Sequence, residues 1–243
     1  MAVQTPESVP ERGNGLQTAL NVIVAPRDAF ETLRIIPMWG WAFLIAMVLF
    51  IVGTLLAAPA QQHAMHSVMV HQMAADPNSA QLTDAQREQR IATIEKFSKF
   101  GVLIVPIAFL IISAILTGIL LVFNVIGRGT ASFKQLWCAI INLSTIVALA
   151  TLVVGVLAMM KGPDAFNTTI DQYLVMPSAA WLAPSAAPKL QALLSQINPF
   201  TIWNFILTAM MMTIIARVSK GIAYSGAFTL WLIGALLTTL GAR

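Results

Sequence analysis

Charge is scarce in this sequence, and cysteine is almost missing. Only 10% of the residues are Asp, Glu, Lys or Arg, against about a quarter in soluble domains. A water-soluble fold of this size is therefore excluded. The single cysteine, Cys138, excludes an intrachain disulfide and a thiolate metal site. No Asp, Glu, Lys, Arg or His falls deep inside a long apolar run. Paired aspartates, a Ser/His couple or H-E-x-x-H, which an intramembrane protease needs, are thus missing, as are the buried charges of most proton-coupled transporters. What is abundant is apolar surface: 58% of the 243 residues are hydrophobic and the mean hydropathy is +0.79. Lipid must be the solvent for much of the chain. The net charge of +4 does not point to nucleic acid, because the cations flank apolar runs, where they set membrane orientation.

A spanning helix needs about 20 apolar residues. Five segments meet or approach that length, at 38–60, 101–126, 135–160, 200–216 and 222–240, the fourth being the shortest. The predicted fold is all-α, a polytopic bundle of five transmembrane helices in a membrane domain over 38–243. Residues 1–20, polar at the start, are expected to form a flexible cytoplasmic tail. Across 21–37, Phe30, Leu33 and Ile36 recur about a helical turn apart, Pro26 suits a first turn, and Asp28 and Glu31 sit near the positive end. This predicts an amphipathic helix lying on the inner membrane surface, ended by Pro37. Lys and Arg divide evenly between the two sides, but the connections GRGTASFK and RVSKG are short and dense in cations. Short loops weigh most, so the N-terminus is expected in the cytoplasm and the C-terminus outside.

The outer loops, 61–100 and 161–198, are not formless. The stretch QQHAMHSVMVHQM puts Met65, Met69 and Met73 on one helical face, and LTDAQREQRIATIEKFSKF opens on the capping pattern Thr83-x-x-Gln86. Asp76-Pro77-Asn78 between them is a turn signal. Together they predict an extracytoplasmic helical hairpin with arms of about 20 Å, on which Met65, Met69, Met73, Phe97 and Phe100 are candidate partner contacts. His63, His66 and His71 with Met69 also resemble a soft-metal patch suited to copper(I). Methionine at every fourth residue equally describes a packed helix face, and that reading is preferred: no metal and no cofactor are expected.

The stretch IGRGTASFKQLW (126–137) is rich in glycine and cations, yet it lacks the G-x-x-x-x-G-K-[ST] of a phosphate-binding loop and follows a lipid-buried helix rather than a strand. As a turn it is coherent. Gly127 and Gly129 permit a tight exit, Arg128 and Lys134 hold the turn inside, and Ser132-x-x-Gln135 caps the next span. Asn124, Asn142 and Asn204 are polar residues within spans, suited to interhelical hydrogen bonds or to a polar seam. Ala114-x-x-x-Gly118 and Ala223-x-x-x-Ala227 permit close helix approach.

This layout resembles the Yip1 domain family of five-span membrane proteins. The matching positions are Pro26 and Phe30 before the first span, Gly127, Gly129 and Phe133 in the glycine-rich turn, then Trp203, Lys220 and Gly221 around the fourth span and its basic turn. The resemblance, over about 22–240, implies no enzymatic activity. It implies an accessory or scaffold protein that associates with other membrane proteins. For a bacterial inner-membrane member, that means an ABC-type exporter and its extracytoplasmic adaptor, and for a eukaryotic one a trafficking factor. A small carrier or channel for lipid or apolar solute is the alternative, and homo-oligomerisation is left open.

Overall fold

The computed structural model describes residues 14–75, 84–168 and 170–242. Two short helices, α1 (Gly15–Val24) and α2 (Pro26–Ile35), precede two long ones, α3 (Gly40–Ala75) and α4 (Asp84–Ile126). Then come α5 (Phe133–Lys161), α6 (Pro188–Ser195), α7 (Pro199–Ile215) and α8 (Lys220–Gly241). Three single-turn 3-10 segments lie between α5 and α6. Four of the helices are long and apolar enough to cross a bilayer, and α6 with α7, bent by 53° at their junction, meets the same test when the pair is taken as one span, which makes four to five spans. The all-helical membrane bundle is as the sequence predicts.

α7 is short because of its place. At 17 residues it rises only about 26 Å, but Leu207, Met211, Met212 and Ile215 are fully covered by α2, α5 and α8. A central helix needs no lipid-facing length of its own. Asn198 starts it with a capping box, its Oδ1 accepting from the Phe200 and Thr201 amides at 3.0 Å each. The indole of Trp231 on α8 donates to the Gln196 carbonyl at 3.2 Å, which ties α8 to the bend.

The closest helix pair is α3 with α5. A Cβ on Gly155 would lie 2.2 Å from the Gly53 carbonyl oxygen, and one on Gly53 would lie 2.6 Å from the Thr151 oxygen. Only two glycines let these backbones touch. The Ala114/Gly118 pattern has no such role at its glycine, since a Cβ on Gly118 would meet nothing. Ala223 and Ala227, by contrast, are buried in the core beside Leu120.

Three boundaries move. The first twenty residues are not all tail, because Asn14 caps α1 (Oδ1 to the Leu16 amide, 3.1 Å) and its helix begins at Gly15. The amphipathic segment is two helices, and the apolar face of α2 does not rest on lipid. Phe30 and Leu33 are fully buried and share a core cluster with Leu207, Met211 and Ile215. It is α1 that turns Leu16, Leu20 and Val24, spaced four apart, outward. Finally, the first span does not stop at residue 60. α3 continues unbroken to Ala75, and α4 starts 20 residues before its apolar stretch at Ile104. The turn at 76–78 and Thr83 lie outside the described residues.

Candidate functional site

The chain's features fall at two ends of the bundle, a turn end and an arm end. At the turn end, the α4–α5 and α7–α8 connections pack against each other. The Thr130 amide donates to the Ala216 carbonyl at 2.9 Å. A Cβ on Gly129 would sit 2.2 Å from Asn124 Oδ1 and 2.6 Å from the Ala216 oxygen, and one on Gly127 would sit 2.7 Å from Val218. The glycines are thus there for close approach between turns. The left-handed residue that each exit requires is instead an arginine, Arg128 (φ 51°) and Arg217 (φ 57°). Asn124 fastens the first turn, its Nδ2 donating to the Ala131 carbonyl (3.1 Å) and its Oδ1 accepting from the Ala131 amide (3.3 Å).

The capping box of α5 is formed. Ser132 Oγ accepts from the Gln135 amide (3.3 Å), and Gln135 Oε1 accepts from the Ser132 amide (2.8 Å). The same Gln135 also donates through Nε2 to the Arg34 carbonyl at 2.5 Å, which pins the C-terminus of α2 to the start of α5. Asn142 donates to the Met38 and Cys138 carbonyls at 2.9 and 2.8 Å. The two asparagines therefore serve nearby backbone carbonyls and an amide, and do not line a polar seam. Asn204 Oδ1 is buried without a partner, as are Arg34 Nε, Thr145 Oγ1, Ser178 Oγ and Gln191 Oε1 among the described residues.

Seven of the eight motif positions converge on this end. Pro26 opens α2, Phe30 is buried, Phe133 begins α5 and stacks on Trp137 at 6.5 Å, and Lys220 opens α8. Gly221 has open space where a Cβ would be. Trp203 lies apart, near the opposite end of α7, half-exposed. An aromatic group closes the turn end: Trp39 contacts Phe43 (5.8 Å) and Trp137 (5.6 Å), and the Trp137 indole donates to Ser113 Oγ at 2.8 Å. Arg27, Arg34, Arg128, Lys134, Arg217 and Lys220 lie on the helices and turns of this end, with Asp28 and Glu31 as the acidic residues on α2. Of these, Arg27 and Glu31 pair at 3.2 Å on the surface of α2, a contact worth at most about 0.5 kcal/mol.

At the arm end, the loop after α5 folds back onto α3. His63 Nδ1 lies 3.0 Å from the Phe166 carbonyl, which requires the proton on Nδ1, and its Nε2 is 3.9 Å from Asp164. Asp171 gathers the Asn167 and Thr168 amides (2.9 and 2.7 Å), and Lys161 donates to the Leu174 carbonyl at 3.3 Å. His63 is thereby a fastening for this loop. Among the described residues no three His, Cys, Asp or Glu side chains gather as a metal site. Met65 and Met69 are half-buried and line a half-open cavity of about 490 Å³ between α3, α5 and the loop. His66 is exposed on the same helix. The side chains of His71, Met73, Phe97 and Phe100 lie outside the described residues.

Packing of this kind, with apolar helices spanning and polar groups spent on turns and caps, defines a polytopic integral membrane protein of the α-helical class. Its family follows from comparison. The Yip1 domain model matches residues 20–241, and the chain belongs to the Yip1 domain family. It is similar to a Bacillus subtilis protein described as "Membrane protein YknW", at 26% identity over 231 residues, covering 93% of this chain and 91% of that one. No solved structure matches it.

Proposed function

We propose that the protein is a non-enzymatic accessory subunit that works by contact with other membrane proteins. The observation that carries this is the length of α3 and α4. At 36 and 43 residues they rise about 54 and 65 Å, where the hydrocarbon core asks for about 30 Å. A bundle that only had to sit in lipid would turn at the interface. Helix carried well beyond it, bearing methionine on one arm and alternating charge on the other, suits docking onto an extramembrane partner.

The six cations at the turn end favour a cytoplasmic setting for that end, with the arms and the C-terminus outside and, for a bacterial relative of this kind, the inner membrane as the site. An ABC-type exporter with an extracytoplasmic adaptor is the partner that the family resemblance implies. Crosslinking in native membranes, followed by mass spectrometry of co-purifying proteins, tests this. Exporter and adaptor subunits crosslinked through 61–99, and lost when 71–99 are replaced by a short linker, are the expected result. Recovery of the chain with itself alone, or association unaffected by the deletion, would refute the contact role. The carrier reading is weaker, because Asn124 and Asn142 of its polar seam are engaged with backbone atoms.

A further inference from the structure

The cavity at the arm end is built for something other than a protein surface. The apolar stretch of α3 runs from Gly40 at the turn end to Val70, a rise of about 46 Å against about 30 Å of hydrocarbon core. The cavity runs along α3 from Ala57 to Met69. It covers about 18 Å of helix at the arm-side limit of that apolar stretch. Alanines at 57, 60 and 64 form its floor, Val154 of α5 lies at its membrane side, and Phe166 of the returning loop roofs it. None of the lining residues carries a formal charge, and Gln61 and Gln172 supply its hydrogen-bonding groups, the Thr168 hydroxyl being spent on Asp171 at 3.0 Å.

Size decides the occupant. A volume of about 490 Å³ along about 18 Å of α3 is too small to take in an α-helix about 10 Å across. A partner helix does not fit, whereas a single extended hydrocarbon chain does. Water gains little there, since an apolar cavity offers it few of the two to four polar partners it needs. We infer that this cavity holds one acyl chain of a membrane lipid from the adjoining leaflet, with the ester groups met by Gln61 and Gln172. The site would present a lipid chain at the base of the arms. It stands apart from the partner contact proposed above and survives if that proposal fails.

The test uses the full chain in phosphatidylcholine vesicles doped with a phosphatidylcholine whose acyl chain ends in a diazirine. After illumination, adducts are mapped by mass spectrometry. The expected result is labelling of 57–69 and 166–175 besides the outward face of α8 at Phe228 and Leu236, which contacts bulk lipid in any case. Ala64→Phe, which fills the cavity, should lower the adducts on 166–175 about tenfold, as expected for a chain losing about two buried methylenes, with α8 labelling unchanged. Met69→Trp blocks the far end without touching the alanine floor and should do the same. Labelling confined to α8 in the wild type, or adducts on 166–175 unaltered by either substitution in a chain whose α8 labelling is intact, would overturn the assignment.

Discussion

Gly155→Ala places the heaviest demand on the smallest added group. Its methyl would lie 2.2 Å from the Gly53 oxygen and 2.9 Å from the Gly53 Cα, so α3 and α5 must part by about 1 Å to restore ordinary contact. In lipid the helices gain little from the hydrophobic effect, and van der Waals contact carries much of their association. A crossing patch with as many atom pairs as one buried leucine, about 50 at roughly 0.15 kcal/mol each, loses a quarter to a half of its attraction when opened by that much. That is about 2–4 kcal/mol, in line with the usual cost of overpacking a core. Alanine returns up to about 1 kcal/mol through its better helix propensity, so the net loss is about 1–3 kcal/mol. Reversible unfolding in mixed micelles, followed by circular dichroism across an SDS titration, measures it. Gly118→Ala is the internal control: its Cβ meets nothing, so propensity alone should act and stability should hold or rise slightly. If Gly155→Ala proved as stable as Gly118→Ala, the close crossing of α3 and α5 would be wrong.

Four further outcomes are expected. Asn124→Leu strands the amide and carbonyl of Ala131 inside the turn end and should cost about 1–3 kcal/mol in the same titration. Arg128→Gly removes a side chain from a left-handed backbone position, whose penalty is about 1 kcal/mol. It should leave the bundle equally or slightly more stable, and a loss of 2 kcal/mol or more, as measured there, would mean that the guanidinium has a structural partner. Gln135→Leu deletes the bond to the Arg34 carbonyl, and amide hydrogen exchange across 26–35 should quicken while 199–215 stays protected. With Cys138 replaced by alanine, cysteines introduced at Ser132 and Ser185, both exposed, should react with a membrane-impermeant maleimide from opposite sides of the membrane, Ser185 from outside. Labelling of Ser132 in intact cells would invert the proposed orientation.

The spans, the cap at Ser132 and the helical nature of the outer segments were readable in the sequence because each depends on local matters: apolar length, side chains three and four residues apart, and the backbone amides at a helix start. Burial of Phe30 was readable only in part. Its periodicity announced an apolar face, but nothing local distinguishes a face meant for lipid from one meant for α7. The Gly53–Gly155 crossing had a faint signal, since each is the only glycine well inside its span, but their meeting depends on the register of two helices about a hundred residues apart. Gly127 and Gly129 looked like residues chosen for backbone freedom. They are chosen for proximity, while two arginines take the left-handed positions.

Composition and periodicity by themselves determined that this chain is an α-helical membrane protein, where its apolar spanning segments lie, and which connections carry positive charge. Those properties follow from the transfer of side chains and backbone amides between water and lipid, which each segment undergoes on its own. Tertiary structure alone decided that α2 covers α7 rather than the membrane, that the asparagines fasten turns and the chain, that the two basic turns lock together, and that His63 holds a loop over a cavity. Each of these arises when segments far apart in sequence come within a few ångströms, and no local pattern encodes that distance.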